Sequence, residues 1–203
     1  MISLKSTLLI ATLVIFYNTV EIHSYSSGAP ATDELCESMK PQHGADPQTS
    51  PSPYAILLSQ DTVNPGQKIR VTIKAKDGDS TDFLGFLIIG KRLSNLNEKA
   101  SKGTFILENE ASKNTKTTDC FGITASSITH TNNQPKKEVT FEWQAPLQEG
   151  EYVLVGTVVK SFTVFWTQIK SATITVKGQR RSSSSSSSKR HHKSKSVKSQ
   201  VLK

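Results

Sequence analysis

The sequence predicts an all-β fold, an antiparallel β-sandwich, on three observations. Short segments alternate apolar and polar residues with a period of two. Residues that favour turns separate those segments. No stretch with helical periodicity runs longer than a couple of turns. Seven or eight short strands are expected, the pattern of a sandwich.

Taken in chain order, residues 1–24 hold one early basic residue, Lys5, followed by an uncharged apolar run over 8–17 (LLIATLVIFY). A span across a bilayer needs about 20 apolar residues. This shorter run suits the apolar region of a secretory signal peptide, with cleavage after Ser24 favoured over Ser26. No second long apolar stretch follows, so the mature chain is expected to be soluble, extracellular and without a transmembrane segment. Residues 25–52 are rich in Ser, Pro, Ala, Gly and His and read as irregular, pinned to the body through Cys36.

From Pro53 onward the pattern is β. A first strand is expected over 54–59. In 68–76, Ile69, Val71, Ile73 and Ala75 alternate with Lys68, Arg70, Thr72, Lys74 and Lys76, the pattern of a half-buried strand. The run 83–89 (FLGFLII) is continuously apolar and predicts a central strand buried on both faces. Residues 92–100 read as a possible short helix. Residues 139–143 and 172–176 repeat the alternation, and 151–166 is long enough for one bent strand or two. Asn64-Pro65-Gly66 carries Pro and Gly where a type II turn requires them. Asp77-Gly78-Asp79 and Glu149-Gly150-Glu151 mark two further turns.

Residues 25–176 make one domain, of a size that buries roughly 68–70% of its unfolded surface. It contains both cysteines, Cys36 and Cys120. In an oxidising compartment the pair reads as a disulfide. Two free thiols or a metal pair is the alternative, which no CxxC spacing or His/Cys cluster supports. The mature chain has no Asn-x-Ser/Thr sequon.

Charge is segregated. Residues 177–203 carry nine Lys/Arg and no acid, whereas the whole chain has a net charge of +8. The body is therefore close to neutral, and the basic pI of about 9.5 belongs to an appendage. Arg180 and Arg181 precede seven serines, and Lys189, Arg190, Lys193 and Lys195 follow them. Such composition predicts a disordered tail that docks on polyanions. Nucleic acid is not the expected partner, because no aromatic residues interleave for base stacking. His191 and His192 lack the preorganised geometry of a metal site.

Several local signatures occur in a fixed order: Gly28-Ala29-Pro30, Cys36-Glu37-Ser38-Met39, Pro41-Gln42-His43-Gly44, Ser52-Pro53-Tyr54, Gly85-Phe86-Leu87, Cys120 with Ile128-Thr129-His130, Phe141-Glu142-Trp143-Gln144-Ala145-Pro146, and Trp166 with Ile169 and Ile174. The ordered set resembles the reeler domain, in its small secreted insect haemolymph branch of defence proteins. The resemblance covers residues 25–176. It implies an immunoglobulin-like sandwich and a disulfide matching Cys36–Cys120. It also implies a non-enzymatic role in innate immunity: binding lipopolysaccharide, lipoteichoic acid or β-glucan, with haemocyte aggregation as the outcome. Members of the family mostly end soon after the last strand, so the role of 177–203 rests on charge alone. Those cations would otherwise hold sulfated glycans, as in an extracellular matrix or adhesion component.

For catalysis the sequence offers little. No Gly-x-Ser-x-Gly, His-Glu-x-x-His or phosphate-cradling glycine loop is present, and no cofactor is expected. His130 reads as a hydrogen-bonded structural residue near Cys120. Trp143 and Trp166 each read as core. Along the strand through Phe165 and Trp166, successive side chains point to opposite faces. One of the two is expected outward, as an apolar contact for acyl chains or a partner.

Overall fold

The computed structural model describes residues 25–77, 79, 81–107 and 113–178. The signal-peptide reading of 1–24 lies outside them, as do Arg180, Arg181, Lys189, Arg190, Lys193 and Lys195. Within them are one helix, α1 (Asp33–Ser38), and eleven strands: β1 (Tyr54–Leu58), β2 (Thr62–Val63), β3 (Lys68–Ala75), β4 (Gly85–Arg92), β5 (Thr104–Ile106), β6 (Thr115–Thr118), β7 (Ser127–His130), β8 (Glu138–Gln144), β9 (Gly150–Ser161), β10 (Val164–Lys170) and β11 (Ile174–Val176).

The strands form two sheets. The smaller has the order β1-β3-β8-β5. The larger runs β2-β11-β9-β4-β7-β6, with β10 also on β9. β9 is long enough to hold β11 along its first residues and β10 along its last, both on the edge opposite β4. All the pairings are antiparallel except the short parallel contact of β11 with β2. Two facing sheets with this connectivity make the sandwich that the alternation predicts.

The alternation also decides what lies between the sheets. Ile69, Val71 and Ile73 of β3 meet Val139, Phe141 and Trp143 of β8, and all six are buried. Phe86, Ile88, Ile128, Tyr152, Leu154 and Val158 answer them from the larger sheet. The turn at Asn64 forms as its residues demand: the Gln67 N–H donates to the Asn64 carbonyl at 3.0 Å, with Gly66 at φ +73°.

β4 is buried on both faces, as its unbroken apolar run requires. Its outer face is covered by the amino-terminal segment rather than by a third sheet. Leu87 and Ile89 pack with Leu35, Cys36, Met39, Cys120, Val153 and Val155 in a second cluster. That segment therefore differs from the irregular stretch expected, because it includes α1. Thr32 caps the helix by accepting from the Leu35 N–H, and Asp33 and Glu34 place negative charge in its first turn.

Two other expectations need correction. Residues 92–100 form no helix; consecutive turns close through Asn95 N–H to Arg92 O and Glu98 N–H to Asn95 O. Ser94, Asn95 and Asn97 favour such local bonding over helix. Among the described residues the strands number eleven rather than seven or eight. The short strands β2, β5 and β6 carry too little apolar alternation to announce themselves.

Lys136 anchors the turn between β7 and β8 and is 4% exposed. Its ammonium donates to the carbonyls of Leu84, Asn132 and Gln134 and lies 3.2 Å from Asn132 Oδ1. Among the described residues no carboxylate pairs with it. Lys136→Met keeps the apolar stem and strands these acceptors, so it should cost about 2–3 kcal/mol. A lowered urea midpoint with unchanged slope checks this.

Candidate functional site

Between the amino-terminal segment and the outer face of the larger sheet lies a cavity of about 180 Å³. Its floor is the outward side of β4 and β9, at Gly85, Leu87, Thr157 and Val159. Its roof is the segment that begins at Tyr25 and passes through α1 to His43. Phe162, in the turn between β9 and β10, closes one end.

The roof is tied down at several points. The Cys36–Cys120 disulfide joins α1 to a 3-10 turn (Cys120–Gly122) across a sequence separation of 84. The Ala29 N–H donates to Thr129 Oγ1 at 3.0 Å, and Thr157 Oγ1 donates to the Met39 carbonyl. Gly28, at φ +112°, is a position where only glycine fits, because a Cβ there would stand 2.3 Å from the His130 carbonyl oxygen.

His130 is the central tie. The Phe86 N–H donates to its Nδ1 at 3.2 Å, which places the ring proton on Nε2, 3.2 Å from the Tyr25 carbonyl. Burial holds its pKa below the ordinary 6.5, and the Lys136 and Lys116 cations push the same way. It is thus a hydrogen-bonded structural residue, as the sequence suggests, although its partners belong to the cavity rather than to the surroundings of Cys120. A His whose folded pKa is depressed binds its proton less readily than in the unfolded chain. Its contribution to stability is complete above pH 6.5 and declines as pH falls from there toward the folded pKa. Urea midpoints should therefore drop between pH 7.5 and pH 5. In His130→Gln, which retains one acceptor and one donor, the drop should be smaller.

His43 is the second histidine on the cavity. Its ring stacks on Phe162 with centroids 4.6 Å apart and meets Phe165 edge-on at 5.9 Å. Burial lowers its pKa too, opposed by a hydrogen bond with the Phe162 backbone. Among the described residues its Nδ1, which is buried, has no hydrogen-bond partner.

Phe165 and Trp166 point to opposite faces as alternation dictates, but neither is outward to solvent. Trp166 enters the core between the sheets, and its Nε1–H donates to the Ser50 carbonyl. Phe165 is fully buried on the other face, where His43 packs on it and its carbonyl accepts from the Gln48 N–H. The expectation of an exposed aromatic fails because the amino-terminal segment covers that face.

Neither histidine contacts a serine–acid pair, and among the described residues no group of three His, Cys, Asp or Glu is placed to hold a metal. Among the same residues no helix is long and apolar enough to cross a membrane. The cavity itself was not foreseen. Its only trace in the sequence is a set of glycines and histidines separated by long stretches of chain.

Comparison with known proteins agrees with this architecture. The Reeler domain family matches residues 34–182. "Putative defense protein 3" of Antheraea mylitta is 35% identical over 154 residues, covering 75% of this chain and 87% of that protein. "Putative defense protein" of Bombyx mori is 34% identical over 155 residues, covering 74% and 85%. "Putative ferric-chelate reductase 1" of Danio rerio is 31% identical over 159 residues, and this chain spans only 26% of that protein's length. Among solved structures, the human F-spondin reeler domain superposes with a TM-score of 0.54 at 19% identity, covering 66% of this chain and 94% of that one.

Proposed function

The chain belongs to the reeler-domain family, and from that premise we propose that it is a secreted, non-enzymatic defence protein that binds microbial surface polymers. One observation carries the reading. The alignment runs over 85% or more of the two silk-moth defense proteins, but over about a quarter of the ferric-chelate reductase. The ligands are lipopolysaccharide, lipoteichoic acid or β-glucan, and bridging between microbes and haemocytes is the outcome. The cations beyond Gly178 add reach. Each Lys or Arg near an anionic surface contributes about 1 kcal/mol, and the attraction weakens as salt rises.

That same charge supports a second reading, an extracellular adhesion component that holds sulfated glycans. Pull-down on bacteria, on insoluble β-glucan and on heparin beads separates the two, using the full chain and a version truncated after Gly178. The defence reading expects both forms to bind microbes, the truncated form more weakly. Heparin retention that vanishes with the tail, with no microbial binding by either form, would establish the adhesion reading instead.

A further inference from the structure

A strand at the edge of a sheet presents unpaired N–H and C=O groups that invite another strand, and folds ordinarily blunt such edges. Among the described residues, β1, β2, β5, β6 and β10 each have one unpaired side. Four of the five are blunted. β2 and β5 are two and three residues long, and β6 carries Lys116. β10 is broken by register shifts after Val164 and after Trp166, and the Gln48 N–H occupies its Phe165 carbonyl. β1 has none of these devices. Its five residues, Tyr54-Ala55-Ile56-Leu57-Leu58, include no charge and no proline, and their register with β3 is unbroken.

The direction of each backbone group on β1 follows from the ends of that pairing. The Lys76 N–H donates to the Pro53 carbonyl, and the Ser59 N–H donates to the Arg70 carbonyl. Bonded residues alternate along an antiparallel strand, so 53, 55, 57 and 59 bond to β3. Tyr54, Ile56 and Leu58 therefore turn their N–H and C=O groups to the open side. Tyr54 is answered within the chain: its N–H donates to Ser52 Oγ at 3.1 Å, and that hydroxyl donates to the Tyr54 carbonyl at 3.3 Å. Among the described residues nothing answers Ile56 or Leu58 on that side. A groove lined by Ser50, Ser52, Ile56 and Gln168 runs along it and leaves it open. Leu57, between the two, is 42% exposed.

We propose that β1 is a self-association edge, at which a second copy of this chain adds its own β1, antiparallel, about a two-fold axis at Leu57. The unanswered groups are their own complement. Ile56 of each copy pairs with Leu58 of the other, and each of these N–H groups donates to the carbonyl opposite. Leu57 faces Leu57 at the non-hydrogen-bonded position between them, where Cα atoms stand about 4.5 Å apart. The exposed leucine is thereby covered, and the two four-stranded sheets become one continuous sheet. A register centred on Ile56 would need the Tyr54 groups that Ser52 already holds. With nine cations in 177–203 and +8 in the whole chain, the bodies are near neutral and do not repel. A seam this short makes a weak, concentration-dependent pair. The proposal does not depend on the surface-polymer reading and stands or falls separately from it.

Sedimentation equilibrium on the oxidised full chain tests it, in about 0.5 M NaCl to screen the cations of the tails. Between about 10 µM and about 1 mM, the range of weak association, the average mass should rise from one chain toward two. Hydrogen exchange at the Ile56 and Leu58 amides should slow over the same range. In a mixture of labelled and unlabelled protein, the Leu57 methyls should show cross-peaks between copies. Leu57→Lys sets like charges opposite each other at the axis and should weaken pairing about tenfold or more, with the melting temperature kept because the side chain is exposed. Leu147→Lys removes a leucine that is 82% exposed in the turn between β8 and β9, and should leave pairing unchanged. A mass of one chain throughout overturns the proposal. So does pairing as strong in Leu57→Lys as in the wild type, an equal loss in Leu147→Lys, or contacts between copies on another strand. The wild-type cross-peaks decide the matter even if a variant fails to fold.

Discussion

Replacing Cys36 and Cys120 together by alanine is expected to lower stability by about 4–5 kcal/mol. The bond closes a loop with a sequence separation of 84, and the chain-entropy model assigns roughly that value to a loop of this length. Both sulfurs are fully buried inside the cluster of Leu35, Met39, Leu87, Ile89, Val153 and Val155, so the substitution also removes packing. At about 3 °C per kcal/mol for a domain of this size, the melting temperature should fall by more than 10 °C. Thermal unfolding of the double variant beside the oxidised protein measures it. Coincident transitions would show that the amino-terminal layer is held by other means.

Trp143→Ala is expected to cost about 3–5 kcal/mol, the range for truncating a fully buried large aromatic. Trp143 is 0% exposed and sits at the centre of the smaller sheet, paired with Ile69 on β3 and Phe105 on β5. Its Nε1–H donates to the Lys102 carbonyl at 3.2 Å, and its indole lies over Gly103, where a Cβ would approach within 2.4 Å. The tryptophan therefore holds the approach to β5 as well as filling space. β5 is three residues long and, among the described residues, is an edge strand on β8, with the Phe105 N–H donating to the Ala125 carbonyl at 2.8 Å beside the indole. Beyond the loss in urea midpoint, hydrogen exchange at Phe105 should accelerate more than at Ile73, which β1 and β8 flank. Equal acceleration at the two would mean that the indole contributes bulk alone.

How much of this was legible in the chain depends on range. The face of β3 was readable because alternation is a local property, and the burial of β4 on both faces followed from the run Phe83 through Ile89. The pairing of Cys36 with Cys120 needed only the count of cysteines and the resemblance. The cavity was not readable, since its walls are brought together across about a hundred residues, as in the contact of His130 with Tyr25. Phe165 shows the same limit. Period two placed it correctly on the face away from the core, but nothing local says that His43, more than a hundred residues earlier, lies on top of it. Helix α1 escaped because six residues give no periodicity to detect, although Thr32 followed by Asp33 and Glu34 is a capping signal that was present.

The amino-terminal segment is a third layer, fastened to the outer face of the larger sheet and roofing the cavity. Nuclear Overhauser contacts in the oxidised protein test it most directly. Strong cross-peaks between the His43 and Phe162 rings, whose centroids lie 4.6 Å apart, and between the backbone of Gly28 and the side chain of Lys116 are the predicted result. Absence of both sets, with the sheet contacts intact, would contradict the account.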